Sequence, residues 1–219
     1  MSKSIFFNVV ARIKSLGLAL FPVIIFISSL IPLISNAEQM PTSYQQCIAC
    51  HGEKAQGNSQ LHSPALAGQS ASYLARQLNN FKQGLRGEHQ QDTYGKQMVA
   101  LSQQLDNNKE VPELSTYLAS LPQSDISQET SGDLKNGSRY YQAKCGACHG
   151  GQAEGNESFN APKLSGQHID YLQRQMKNFV NGIRGTAAND RFGRQMAMMA
   201  TTTSGKELDD ILHYIASQK

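Results

Sequence analysis

The sequence predicts an all-α chain made of two tandem helical domains, and three observations predict it. Apolar residues recur at helical spacing in both halves, with no run that alternates as a strand would. The second half repeats the first at a constant offset of 98 residues. Each half carries one Cys-x-x-Cys-His pentapeptide.

The 219-residue chain opens with the pattern of an export signal. Lys3, Arg12 and Lys14 make a basic start, an apolar run follows from Leu16 to Ile34, and Ser35-Asn36-Ala37 supplies the small residues a signal peptidase needs. Cleavage is expected between Ala37 and Glu38. The alternative is an uncleaved membrane anchor, because the run is nearly long enough to span a bilayer; Pro22 and Pro32 interrupt it, and the small-residue ending favours cleavage. Of the 20 basic residues three fall in this segment, leaving 17 against 17 acidic ones, so nothing points to nucleic acid. The balance is uneven along the chain: residues 38–122 hold 6 basic and 7 acidic groups, and residues 133–219 hold 11 and 8.

The first domain is expected over 38–122 and the second over 133–219. The offset pairs Pro64 with Pro162, Gly68-Gln69 with Gly166-Gln167, Tyr73-Leu74 with Tyr171-Leu172, and Gly95-Lys96-Gln97-Met98 with Gly193-Arg194-Gln195-Met196. Roughly half the positions between Cys47 and Met98 match their partner, which marks a duplicated domain. Within each copy, Tyr73, Leu74, Leu78 and Phe81, like Tyr171, Leu172, Met176 and Phe179, form an apolar helix face that Gly84 and Gly182 end. A last helix in domain two starts at Ser204-Gly205-Lys206-Glu207, a capping-box signature, and its counterpart near Val111–Leu121 has Pro112 in the opening turn. Gly57-Asn58 and Gly155-Asn156 read as turns. Between the domains, residues 123–132 form a Ser-, Gln- and Thr-containing linker. Domains of this size are small for an independent core, and a buried prosthetic group would supply the missing apolar volume.

Cys47-Ile48-Ala49-Cys50-His51 and Cys145-Gly146-Ala147-Cys148-His149 fit covalent attachment of two haem c groups. Two thiols one helical turn apart can add to the two vinyl groups of a haem, and the next histidine then faces the iron. A thioredoxin-like redox pair would need a βαβ pattern, and a zinc site would draw ligand pairs from two separated segments; neither is present. Met98 and Met196 each follow their histidine by 47 residues in the same Gly-basic-Gln-Met setting. The expected axial iron ligands are therefore His51, Met98, His149 and Met196. Met176 and Met199 read as core filler, and Met198 has no methionine partner in domain one. His62, His89, His168 and His213 have no histidine partner in the other copy and read as surface or loop side chains. Arg76, Arg86, Arg174 and Arg184 recur in both copies, either as propionate partners or as solvated helix-face residues.

With these motifs in place, the sequence resembles the class I cytochromes c, specifically the di-haem cytochrome c4 family, over residues 41–219. The markers are Cys-x-x-Cys-His-Gly, Pro-x-Leu-x-Gly-Gln, Tyr-Leu-x-x-Gln and a methionine ahead of a final helix. The resemblance implies two cytochrome c folds and a periplasmic or membrane-associated electron carrier rather than an enzyme. Its implied partners are a quinol–cytochrome c reductase, a terminal haem–copper oxidase or a dehydrogenase. It also implies that Pro64 and Pro162 offer the carbonyls that accept the proximal histidine N–H. Other readings are an electron-accepting subunit of a periplasmic dehydrogenase or sulfur-oxidising complex, and, with His89 as its sole support, a di-haem enzyme. One departure stands out: domain two has Gly137 and Tyr141 on an expected N-terminal helix, whereas domain one has only Glu38 to Gln46, with Pro41 among them. Its first helix is expected to be short or missing, leaving its haem more exposed unless a retained signal extends the helix.

Overall fold

The computed structural model describes residues 39–203 and 205–218. The expected export segment 1–37 and its cleavage point lie outside the described residues, as does Ser204 of the capping box. Domain one holds a 3₁₀ turn (Thr42–Tyr44) and helices α1 (Ile48–His51), α2 (Ala71–Lys82), α3 (Thr93–Ser102) and α4 (Glu110–Ser120). Domain two holds α5 (Leu134–Lys144), α6 (Gly146–His149), a 3₁₀ turn (Glu157–Phe159), α7 (Ile169–Val180), α8 (Arg191–Ala200) and α9 (Gly205–Ala216). Among the described residues the only extended pairing is two isolated bridges, Asn58 with Ser63 and Asn156 with Ala161, which close the expected Gly-Asn turns.

The helix limits follow from local chemistry. Asp92 and Asp190 each accept a hydrogen bond from the main-chain N–H three residues on, Gly95 and Gly193, at 2.9 Å, which satisfies an otherwise free donor at the start of α3 and α8. Helices α2 and α7 stop two residues before Gly84 and Gly182, which take left-handed φ values of 68° and 70°. In α9, the Glu207 carboxylate accepts from Lys144 Nζ at 2.6 Å.

The last helix of each domain makes the largest single contribution to the core. Here the register shifts to an offset of 97, one less than in the rest of the repeat. The aligned core positions are Val111 with the partly buried Leu208, Leu114 with Ile211 and Leu118 with Ile215. One aligned pair breaks the apolar pattern: Leu212 is Ser115 in domain one, buried with no partner for its hydroxyl. In domain two α9 crosses α5 at Gly137. A Cβ there would sit 2.0 Å from the Asp210 carbonyl oxygen, so only glycine lets the two backbones meet.

Domain one solves the same packing problem without a long first helix. Tyr44, on the 3₁₀ turn, lies three residues before Cys47, whereas Tyr141, on α5, lies four before Cys145. Both are fully buried, and each donates its hydroxyl to the carbonyl after the motif histidine, Gly52 or Gly150, at 2.8 Å. A turn of three residues and a turn of 3.6 thus bring the same ring to the same place from different spacings. Each ring rests on a tyrosine of the last helix, Tyr117 at 5.7 Å and Tyr214 at 5.1 Å between centroids. The short start of domain one therefore leaves its core closed at this point.

The two domains meet through reciprocal hydrogen bonds. Gln167 accepts from Ala65 N and donates to Ala65 O, both at 2.9 Å. Gln69 does the same with Lys163 N and O, at 3.0 Å each. All four residues are related by the 98-residue offset, so each domain offers its partner the same glutamine and the same stretch of main chain. The segment between the domains is also tied down: Gln128 donates to Gln167 O at 2.7 Å and accepts from Ile169 N at 2.8 Å, at the start of α7.

Candidate functional site

Each Cys-x-x-Cys-His motif folds into one short helical turn, α1 or α6, with the first cysteine as its N-cap. His51 and His149 are each 5% exposed, and the Nδ1 of each lies 2.9 Å from a proline carbonyl, Pro64 or Pro162. Burial lowers the pKa of both rings, and the proline hydrogen bond opposes it only in part, so each is neutral. With Nδ1–H donated to the carbonyl, Nε2 holds the free lone pair, which is the arrangement of an oriented metal ligand. Among the described residues none of the four cysteines forms a disulfide. Burial, and secondarily Cys50, pushes Cys47 up to about 11; Cys145 also rises to about 11, chiefly from burial. Among the described residues no three His, Cys, Asp or Glu side chains converge as a metal cluster.

A largely apolar cavity opens beside both motifs and runs across the domain boundary. Cys47, Cys50 and His51 line it in domain one, and Cys145, Cys148 and His149 in domain two. Met98 on α3 and Met196 on α8 line the same cavity, half-buried. The thiols, the imidazoles with free Nε2 and the thioethers thus face one apolar space in each domain, and this donor set fits covalently bound haem.

The remaining methionines divide. Met176 is half-buried on the cavity wall. Met199, expected as core filler, is 38% exposed although it too lines the cavity, and Met198 is 66% exposed. Of the unpaired histidines, His62 and His89 are exposed; His168 bonds the Gln56 carbonyl at 3.0 Å, and His213 bonds Thr130 at 2.8 Å.

The four repeated arginines are neither simple surface residues nor confined to one domain. Arg76 donates to Asn160 Oδ1 at 3.0 Å and to Asn160 O at 2.6 Å, and Arg174 donates to His62 O at 2.6 Å. Asn160 and His62 occupy equivalent positions, both with left-handed φ, near 54° and 57°. Arg86 donates to Gln77 at 2.7 Å and across the interface to Tyr171 at 3.1 Å and Gln175 at 3.3 Å. Arg184 mirrors it, donating to Gln175 at 2.6 Å, Gln77 at 2.9 Å and Tyr73 at 3.5 Å. All four arginines line the cavity. Sequence reasoning singled out these arginines but missed the interface they and the glutamines build. The available signal was the survival of Gln69, Gln77, Gln167 and Gln175 in both copies.

Comparison with known proteins places this architecture. The family model described as "Cytochrome c" matches the chain twice, over residues 39–122 and 134–219. Cytochrome c4 of Azotobacter vinelandii is 32% identical over 183 residues, covering 77% of this chain and 82% of that protein. A thiosulfate dehydrogenase electron acceptor of Stutzerimonas stutzeri (strain A1501) is 28% identical over 182 residues, 78% of each chain. The solved structure of Acidithiobacillus ferrooxidans cytochrome c4 superposes with a TM-score of 0.65 at 26% identity, covering 80% of this chain and 99% of that one. Two tandem helical domains with a cavity-facing Cys-x-x-Cys-His turn in each, together with these matches, place the chain in the cytochrome c family and, within it, among the di-haem electron carriers of the cytochrome c4 type.

Proposed function

We propose that the chain is a periplasmic electron carrier holding one haem c in each domain. Cys47 and Cys50 in domain one, and Cys145 and Cys148 in domain two, form the thioether links; His51 with Met98, and His149 with Met196, are the axial iron ligands. The observation that carries this reading is the matched pair of buried histidines, each with Nδ1 fixed 2.9 Å from a proline carbonyl and with a methionine lining the same cavity. When bound, the haem iron would supply a one-electron couple, and ligation by these histidines and methionines would raise its potential. The chain's own part is to hold the imidazole in one tautomer, keep water from the iron and surround it with apolar walls. The basic start and small-residue ending of the N-terminal segment support export, and the domains are read as 38–122 and 133–219 joined by residues 123–132.

The test is replacement of each methionine in the holoprotein. Met98→Ala and Met196→Ala are each expected to remove about half of the far-red methionine-to-ferric charge-transfer absorbance, and the double variant all of it. Undiminished absorbance in either single variant overturns that assignment.

For the redox partners, the reading is a carrier towards a terminal haem–copper oxidase. A second is supported by relatives in Stutzerimonas stutzeri and Thiomonas intermedia named as thiosulfate dehydrogenase electron acceptors, at 28% and 29% identity. On that reading the chain accepts electrons from a sulfur-compound dehydrogenase. Stoichiometric co-purification with such an enzyme favours the second reading, and reduction by a quinol–cytochrome c reductase without it favours the first.

A further inference from the structure

Each domain's share of the cavity is gripped by one arginine of the other domain. Arg174 on α7, in domain two, donates Nη2 to the His62 carbonyl at 2.6 Å and lies 4.9 Å from the centre of the Tyr94 ring. Both contacts are to domain one. Arg76 on α2, in domain one, donates to Asn160 O at 2.6 Å and Asn160 Oδ1 at 3.0 Å and lies 4.7 Å from the Phe192 ring, all in domain two. Each guanidinium is also near a tyrosine of its own helix, Tyr171 at 5.4 Å and Tyr73 at 5.3 Å, so it meets one ring from each domain.

The residues gripped stand next to the expected axial ligands. His62 and Asn160 come two residues before Pro64 and Pro162, whose carbonyls lie 2.9 Å from Nδ1 of His51 and His149. Tyr94 and Phe192 come four residues before Met98 and Met196 on α3 and α8, a spacing that puts ring and thioether on one helix face, and all four line the cavity. One guanidinium thus bridges the histidine side and the methionine side of the opposite domain. The carbonyl it holds belongs to a residue with left-handed φ, 57° at His62 and 54° at Asn160, a conformation that costs a side-chain-bearing residue energy unless its surroundings fix it. The two clamps differ in detail. The His62 ring packs 5.0 Å from Tyr94 and its Nδ1 lies 3.5 Å from Asp170, which is itself 3.8 Å from Arg174. In domain two the Asn160 amide takes a second bond from Arg76 instead.

We propose that Arg174 and Arg76 are positioning residues acting across the domain boundary: Arg174 sets Met98 against His51 in domain one, and Arg76 sets Met196 against His149 in domain two. This rests on the proposed iron ligation by those four residues. The methionines are the ligands such a clamp governs. Each histidine directly follows a haem-attachment cysteine, whereas each methionine comes from a separate helix 47 residues later in the chain. The consequence is crossed: loss of an arginine loosens the methionine of the other domain and spares that of its own.

The test is displacement of each methionine by added imidazole in the ferric holoprotein, read as loss of the far-red methionine absorbance. In the Met196→Ala protein that absorbance reports Met98 alone, and in the Met98→Ala protein it reports Met196 alone. R174Q is expected to lower the imidazole concentration that displaces Met98 by about tenfold, the scale of one lost guanidinium stack and one charge-assisted hydrogen bond, and to leave displacement of Met196 unchanged. R76Q is expected to do the reverse. R174K and R76K, which keep the charge but not the planar fork, are expected to give a smaller shift at the same methionine, and they decide the matter if a glutamine variant takes up no haem. An arginine that served only its own helix would loosen the methionine of its own domain. That result, an equal shift at both methionines, or no shift overturns the clamp. Failure of the ligand assignment reads differently: the single methionine variants then keep their full far-red absorbance. If they lose it as expected and the arginine variants give no crossed shift, only the clamp is wrong.

Discussion

The two glutamines at the domain boundary make the strongest quantitative claim on stability. The Gln167 side chain has three hydrogen bonds: Ala65 N and Ala65 O across the interface at 2.9 Å each, and His168 N at 3.0 Å. Gln167→Ala removes all three. The two that cross between domains are worth about 1 kcal/mol each in net terms. The buried Ala65 N–H is then left without an acceptor, which adds about 1–3 kcal/mol. Domain docking should therefore weaken by about 3–5 kcal/mol. Gln69→Ala should match it, because Gln69 makes the same pair of bonds to Lys163 at 3.0 Å. The two sites share no partner, so their effects should add. The assay is denaturant unfolding of the holoprotein, followed by far-ultraviolet dichroism and the haem absorbance together. A single transition in the unaltered protein is expected to broaden or split in the double variant as the domains uncouple. If either single variant unfolds within about 0.5 kcal/mol of the original, as ordinary surface substitutions do, and the double variant keeps one sharp transition, the reasoning is refuted.

Three further outcomes can be checked on the same protein. Gly137→Val places a side chain 2.0 Å from the Asp210 carbonyl and should cost about 3 kcal/mol by forcing α5 from α9; an unchanged thermal midpoint would remove the close-crossing argument. Ser115→Ala removes a buried hydroxyl with no partner and should raise stability by about 1 kcal/mol, read as a higher denaturation midpoint; a loss of stability instead would mean that the hydroxyl is paired. Asp210 is held below the usual carboxylate range by the Asp133 N–H at 2.8 Å and by Lys206 at 2.8 Å. Its contribution is therefore fully present above the unfolded value, near pH 4, and is lost as pH falls through the lower folded value. Asp210→Asn should flatten that acid limb in unfolding measured below about pH 4, and an unaltered limb would assign it to other groups.

Much of the fold was legible because its signals are local or repeated. The stop at Gly84 and Gly182, the turns at Gly57 and Gly155, and the helices ahead of them follow from periodicity and backbone preference alone. The helix carrying Met98 begins at an Asp cap that the repeat places again before Met196. What was not legible depends on contacts between distant residues. Met199 looks like filler on a helical face, yet that face borders the cavity and leaves it 38% exposed. The bond that Glu207 of α9 accepts from Lys144, 63 residues earlier, carries no local signal either. The arginines were visible as repeats, but the choice between solvent and propionate omitted a third surface, the other copy of the domain.

That omission points to a general physical reading of a duplicated chain. An apolar position conserved between copies is explained within one domain, because each copy must close its own core. A buried polar position carries no such explanation, since water would serve a surface glutamine as well. Gln69 and Gln167 remain identical although their neighbours drift, and each satisfies main-chain groups of the opposite copy. Tyr44 and Tyr141 make the complementary case. Their spacing from the haem motif differs by one residue, so strict register would have discarded the match, yet a 3₁₀ turn and an α-helix deliver both hydroxyls to the same carbonyl at 2.8 Å. The duplicated site is thus preserved by what each side chain reaches, and identity at a fixed offset is evidence for it only where the backbone between is also the same.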